Sequence, residues 1–387
     1  MADEDSPPPS PDKASIAFAS RNRSMSVATF LAHTPLPHAS EEDPLCIVGF
    51  GHPLLDISSN VDKSFLKKYS VELGSCNLAE PNQLAIFEEL SQRRDVEFVP
   101  GGACMNTVRV ARWLLNRDIC WFVGCLGDDE FGCILERALH RAGVKSVFQR
   151  HEVKPTGTCA CLIVDRERSL LANLGAALEL SMEHMAEEAV KAAMDSAGIF
   201  YLEGFFMNVV SSPTSSVTIG EHCVENNKVF AFNLSAPYLC LFFKDKLSAI
   251  LPYVDILVGS IIDFEAYGES QGWDEKDMRT VVERVCALPK KNALRRRIVV
   301  MTNGAESTLV AVSGKPTREY QPLKIPEESI VDTNGAGDAF VGGFLSQIAK
   351  GRTLDQAIEI GHAAAATIIQ HNGCTVPDTR PDILRDA

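Results

Sequence analysis

Six short apolar runs recur along the chain, at 45–51, 121–127, 199–204, 229–235, 254–260 and 297–304, and each ends in glycine or a polar residue. Segments with helical spacing lie between them, such as 103–115 and 128–142. Strands that alternate with helices in this way build a parallel sheet covered by helices, so the class is α/β. The small and polar residues at the strand ends then line one crevice, because ligands of open α/β sheets sit beyond the carboxyl ends of the strands.

Two stretches break the rhythm. In the first, 57–61, 75–79 and 97–100 read as strands, and 81–92 reads as a helix opened by Pro81. In the second, 156–164 and 169–174 form a hairpin over 165–168. Together they predict a small second sheet lying over the open edge of the main one as a lid, drawn from about 56–102 and 154–177. The run 308–312 reads as an edge strand. Residues 1–44 stand apart. The segment 3–11 is acidic and proline-rich and cannot bury a core, so 1–44 reads as a disordered tail ahead of a domain over 45–387.

A net charge of −14 over 387 residues argues against general nucleic-acid binding. No apolar run approaches the length of a membrane span. The 12 cysteines include no Cys-x-x-Cys pair, and most lie in apolar surroundings, so they read as reduced thiols of a cytoplasmic protein.

The chemistry concentrates in 331–345. Asp332-Thr333-Asn334-Gly335 is a turn that feeds a helix, and Gly335 and Gly337 put no side chain in the way of an anion. The amides of 335–338 then face outward at a helix N-terminus, which attracts negative charge. Asp338, in the first turn, is placed to take a proton from a hydroxyl while the amides stabilise charge opposite it. An acidic residue at a glycine-rich helix start is also common without any such role. The stretch is not a dinucleotide fingerprint, because Phe340 stands at the third glycine's place. Asp56, just beyond the first strand, reads either as a turn carboxylate or as an acceptor for a vicinal diol. Gly101 and Gly102 let a ligand lie against the backbone, and Asn106 in the next helix offers a donor and an acceptor to a sugar hydroxyl.

The sequence Asp-Thr-Asn-Gly-Ala-Gly-Asp-Ala-Phe-Val-Gly-Gly-Phe at 332–344 resembles the C-terminal signature of the ribokinase-like (PfkB) carbohydrate and nucleoside kinases. Gly-x-Pro-Leu-Leu-Asp at 51–56, Gly-Gly-x-x-x-Asn at 101–106, Pro-Thr-Gly-Thr-Cys-Ala at 155–160, Asn-Leu-Ser-Ala-Pro at 233–237 and Gly-Cys-Thr at 373–375 resemble the adenosine kinase branch, in the same order. The resemblance implies a three-layer αβα fold with a mainly parallel central sheet and a small discontinuous β-rich lid. It implies a monomer that transfers the γ-phosphate of ATP, as its Mg²⁺ complex, to the 5′-hydroxyl of adenosine. Asp338 would be the catalytic base, with Gly335, Ala336 and Gly337 forming the anion hole. Asp56, Gly102 and Asn106 would hold the ribose, with His52 beside them. Leu54, Leu170, Phe206 and Tyr238 would wall the purine, with Cys159 near it. Arg168 would meet the transferred phosphate from the lid. Thr302, Gly304 and His362 would line the ATP site, with Asn233 and Asn334 on the phosphate side.

Two positions depart from the family. Where its members have Asn-x-x-Glu, which organises Mg²⁺ through water, this chain has Ser260-x-x-Asp263. His52 stands where the adenosine kinases tend to have asparagine. Three readings follow: an adenosine kinase, a kinase of the same fold for another nucleoside or a sugar, and a nucleoside-binding protein with little catalysis.

Overall fold

The computed structural model describes residues 39–164 and 167–384. The tail reading therefore falls largely outside the described residues. Its described end, 39–44, packs on the protein: Glu41 pairs with Arg352, and a Cβ added at Gly351 would meet the Ala39 carbonyl oxygen at 2.6 Å.

The strands in chain order are β1 (Ile47–Phe50), β2 (Leu54–Asn60), β3 (Cys76–Leu78), β4 (Glu97–Gly101), β5 (Cys120–Gly127), β6 (Lys145–His151), β7 (Gly157–Val164) and β8 (Glu167–Asn173), followed by β9 (Ile199–Glu203), β10 (Val229–Asn233), β11 (Ile256–Ser260), β12 (Ile298–Asn303), β13 (Glu306–Val312) and β14 (Arg318–Tyr320). Nine of them form one sheet in the order β14-β13-β12-β11-β10-β9-β1-β5-β6. From β12 to β6 every pairing is parallel, and β13 and β14 add on antiparallel. The edge is thus β14 and not the run 308–312, because the short segment 318–320 pairs outside it. The other edge, β6, falls in a stretch whose residues are only half-buried and carry no strong apolar signal.

Strict alternation divides the core. Phe230, Phe232, Leu257 and Val299 point to one layer of helices, while Val229, Ala231, Ile256 and Ile298 point to the other. The second layer is built on helices Ala103–Leu115, Ala336–Ala349 and Leu354–Ile368. Strand order reverses about β1, which has β9 on one side and β5 on the other. The crevice at that reversal is where this architecture binds ligands.

The second sheet has the order β3-β8-β7-β2-β4 and comes from 54–101 and 157–173. One of its faces packs Ile57, Ala160, Leu162 and Leu171 against Leu66, Ile86, Phe87 and Leu90 of two short helices. The predicted helix 81–92 divides here into a single 3₁₀ turn, Pro81–Gln83, and an α-helix, Ala85–Ser91. The tip of the predicted hairpin, 165–166, lies outside the described residues.

Candidate active site

The turn before helix Ala336–Ala349 is held by one carboxylate. Asp332 Oδ1 accepts the Asn334 amide at 3.0 Å, and Oδ2 accepts the Gly373 amide at 2.8 Å. Gly335 then takes φ +77°, where an added Cβ would also lie 2.8 Å from Cys374 Cβ, so the position needs glycine twice over. At Gly337 an added Cβ would meet nothing within 4 Å. The space above the helix start is open there. Of the predicted anion-hole amides, that of Ala336 turns back to the Thr333 carbonyl at 3.3 Å, so Gly337 and Asp338 supply the free first-turn donors.

Asp338 sits at the third helical position, and its Oδ2 accepts Asn106 Nδ2 at 3.0 Å. Burial pushes its carboxyl up to about 6, and the Asn106 hydrogen bond opposes the rise. Asn106 Oδ1 in turn accepts Arg109 Nη1 at 3.3 Å. Both ends of this amide are therefore engaged by protein, which differs from the expectation that both face a sugar. Arg109 was not foreseen, because its role depends on folding helix Ala103–Leu115 against β2 and β4.

Cross-strand register puts one set of predicted residues on a single face of the second sheet. Leu54 lies opposite Gly101, Asp56 opposite Cys159, Cys161 opposite Leu170, and Ile163 opposite Arg168. Leu54, Asp56, Cys159, Arg168 and Leu170 therefore share the face away from the small helices. Asp56 lies within β2 rather than in a loop past a strand. Burial raises its carboxyl to about 7, and Arg168 and Arg109 oppose the rise. The diglycine serves the protein's own atoms: a Cβ at Gly101 would lie 2.4 Å from Asp56 Oδ1, and one at Gly102, at φ +95°, would lie 2.1 Å from the His52 carbonyl oxygen. Arg168 reaches from β8 to Asp332 Oδ2 at 2.6 Å and also pairs with Asn372, so the second sheet is tied to the turn before helix Ala336–Ala349.

A cavity beyond the ends of β10, β11 and β12 is lined by Phe205, Asn233, Ser260, Asp263, Thr302 and Asp338. Ser260 and Asp263 form a capping box at helix Ile261–Ser270. Asp263 Oδ2 accepts both the amide and the hydroxyl of Ser260 at 2.7 Å. Ser260 is thereby engaged as a helix cap. Asp263 Oδ1 is buried and has no hydrogen-bond partner among the described residues, and burial raises this carboxyl.

Other predicted residues lie elsewhere. Phe206 is buried in the main core against Phe50, and its neighbour Phe205 lines the cavity; the Tyr238 ring, outside that lining, lies 6.5 Å from Phe205 between centroids. The 3₁₀ turn Gly204–Asn208 sets that choice, and no periodicity in the sequence reveals it. Gly304 is in an open turn at φ +56° and is not among the cavity residues. His362 is buried, exchanges a 2.9 Å hydrogen bond with Thr308 Oγ1, and is held neutral by burial, which lowers it to about 4. His52 is buried, lowered to about 4, and its Nε2 has no partner among the described residues. Its amide donates to Glu203 Oε1 at 3.4 Å. Glu203 was not foreseen either; burial and the nearby Asp338 push it up to about 8.

The sequence profile of the pfkB family carbohydrate kinases matches residues 67–380. Adenosine kinase 1 of Arabidopsis thaliana is 39% identical over 345 residues, which is 89% of this chain and 99% of that protein. The adenosine kinase of Dictyostelium discoideum is 42% identical over 335 residues, or 86% and 97% of the two chains. The structure of Anopheles gambiae adenosine kinase in complex with P1,P4-di(adenosine-5) tetraphosphate has 40% identity and a TM-score of 0.79, over 85% of this chain and 96% of that one. The two-sheet architecture is accordingly the ribokinase-like fold. A profile that spans most of the chain, and relatives matched over almost their whole length, make this protein a member of the pfkB family of carbohydrate kinases.

Proposed function

We propose that this chain is an adenosine kinase, transferring the γ-phosphate of ATP to the adenosine 5′-hydroxyl to give AMP and ADP. The observation that carries the reading is Asp338: a half-buried carboxylate, oriented by Asn106, at a helix start with open space over Gly337. The relatives of 39% and 42% identity support adenosine as the acceptor.

In this reading Asp56 accepts hydrogen bonds from the ribose diol, and Leu54, Leu170 and Tyr238 flank the base, with Phe205 in the place expected for Phe206. The 5′-oxygen attacks the γ-phosphorus while its proton passes to Asp338 Oδ1 or Oδ2. The bond from the γ-phosphorus to the β,γ-bridging oxygen breaks, and ADP leaves. The amides of Gly337 and Asp338 stabilise the charge on the transferred group. Arg168 exchanges Asp332 for that group as the second sheet closes like a lid, which excludes water as a competing acceptor.

A divalent cation fits the cavity, because Asp263 Oδ1 is a buried carboxylate oxygen with no hydrogen-bond partner among the described residues. Asp263 would hold a hydrated Mg²⁺ through its waters, the usual habit of that ion. When bound, such an ion neutralises charge on the β- and γ-phosphates. We also read the chain as a monomer of a reducing aqueous compartment. The eleven cysteines whose side chains are described form no disulfide, and no helix among the described residues is long and apolar enough to cross a membrane.

The test is ADP formation from Mg·ATP with adenosine, inosine, guanosine and ribose, for wild type and Asp338→Ala. Turnover with adenosine should fall roughly 10²–10⁴-fold in the variant. Turnover only with another acceptor would replace adenosine as the substrate, and adenosine binding without turnover would overturn the enzyme reading.

A further inference from the structure

Cys161 has no part in the chemistry above, yet it shares the face of the second sheet that carries Asp56 and Cys159. Register explains the convergence. Asp56 of β2 is directly opposite Cys159 of β7, and Cys161 lies two residues along the same strand, on the same face. Their ligand atoms, one carboxylate oxygen and two sulfurs, all lie within 4.8 Å of one another. Among the described residues this is the one group of three or more His, Cys, Asp or Glu side chains that converges so closely. Both cysteines are buried and neither is in a disulfide.

We propose that Asp56, Cys159 and Cys161 form a site for one thiophilic divalent cation of the Zn²⁺ class, and that the cation occupies it in competition with the acceptor nucleoside. The competition rests on the proposed role of Asp56 in holding the ribose diol; the metal site does not.

The donor set selects the ion. Two sulfurs and one carboxylate suit a soft or borderline d¹⁰ cation, whereas Mg²⁺ prefers oxygen alone. At a Zn–S length of about 2.3 Å, tetrahedral geometry sets the sulfurs about 3.8 Å apart. The present spacing closes to that value with side-chain shifts of at most about 1 Å. Three protein ligands leave a fourth position for water. Charge also fits: a divalent ion with two thiolates and a carboxylate carries one net negative charge, and the guanidiniums of Arg168 and Arg109 act on Asp56 more strongly than the nearby carboxylates of Asp338 and Asp332. Binding releases the two thiol protons to solvent, so it weakens as pH falls.

The experiment titrates the full chain with Co²⁺, without oxygen and after reduction, and follows the thiolate-to-cobalt charge-transfer absorption. Wild type should develop it with one equivalent. Cys161→Ala should lose it, and Cys161→Ser, which keeps the size and removes the soft ligand, should lose it as well. Cys133→Ala, at an exposed thiol, should keep it. Kinase turnover of Cys161→Ala should match wild type, while the Zn²⁺ concentration for half-inhibition rises at least about tenfold, the smallest loss expected even for an outer-shell partner. Absence of the band in wild type, or an unchanged band in both Cys161 variants, overturns the site. A band that survives saturating adenosine overturns the competition. A chain that shows the band and phosphorylates no nucleoside refutes the kinase reading and leaves the metal site standing.

Discussion

Asn106 Nδ2 donates to Asp338 Oδ2 at 3.0 Å across 232 positions of sequence, joining the helix that follows β4 to the helix that carries Asp338. The donor favours the ionised carboxylate against a burial effect that raises it to about 6. A protonated Asp338 cannot accept the hydroxyl proton. In wild type, kcat/KM for adenosine should therefore fall tenfold per pH unit below about 6. In Asn106→Ala the acid limb should move to higher pH as well as the rate falling. A pH profile measured for both proteins checks this; a lower rate with an unmoved limb would assign Asn106 to substrate binding alone.

Gly335 and Gly337 separate folding from ligand access. Gly335→Ala forces a methyl against Cys374 at φ +77° and should lower stability by at least about 1 kcal/mol. Gly337→Ala meets no protein atom and lies within the helix, so stability should hold or rise by up to about 1 kcal/mol. Its methyl enters the space left for the transferred phosphate, and kcat should fall on the order of 10²-fold. Urea denaturation and steady-state rates measured together decide it: a fully active Gly337→Ala removes the phosphate from that space.

The Arg168–Asp332 pair links the second sheet to the turn before helix Ala336–Ala349 at 2.6 Å. Arg168→Ala should lower kcat by roughly 10²–10³-fold, as loss of a donor to a developing anion does. Arg168→Lys should recover little of it, because an ammonium does not reproduce the planar fork. Full recovery by lysine would reduce the role of Arg168 to a point charge.

Ser260 and Asp263 share one capping box, and the proposed reading gives Asp263 a metal as well. Ser260→Ala should cost about 1 kcal/mol in urea denaturation, with the Mg²⁺ requirement nearly unchanged. Asp263→Asn should raise the Mg²⁺ concentration for half-maximal rate by about tenfold or more. An unchanged Mg²⁺ dependence in Asp263→Asn would leave the carboxylate as a helix cap only.

Glu203 makes stability depend on pH. Its folded carboxyl is raised from 4.5 to about 8, so between those values the folded state holds the proton that the unfolded state has lost. Stability from this group is complete below the unfolded value and is lost as pH rises through the window. Glu203→Gln should be more stable than wild type at pH 8 by more than about 1 kcal/mol, with the gap closing toward pH 5. Parallel denaturation curves across that range would show that Glu203 is ionised in the fold.

The elements and much of the site were legible because their signals are local. The diglycine, Asn106 and the helical spacing of Val108, Ala111 and Leu115 place one helix at Ala103–Leu115, as expected. The hairpin reading of 156–164 with 169–174 placed Cys159 on a strand, which is β7. The choice between Phe205 and Phe206 was not legible, since a 3₁₀ turn of five residues has no period to read. The short pairing segment β14 escaped for a similar reason: three residues carry too little pattern to be called a strand without a neighbour to pair with.

By itself the sequence determined the strand–helix order, the glycine-rich turn ahead of Asp338 and the family signature, all of which depend on residues close together in the chain. Only the tertiary structure decided that Asn106 spends its amide on Asp338 and that Asp56 lies beside two sulfurs. Those relationships are made by parallel pairing and helix packing between distant segments. A side chain's partner there follows from the register of whole elements, and residue type alone does not specify it.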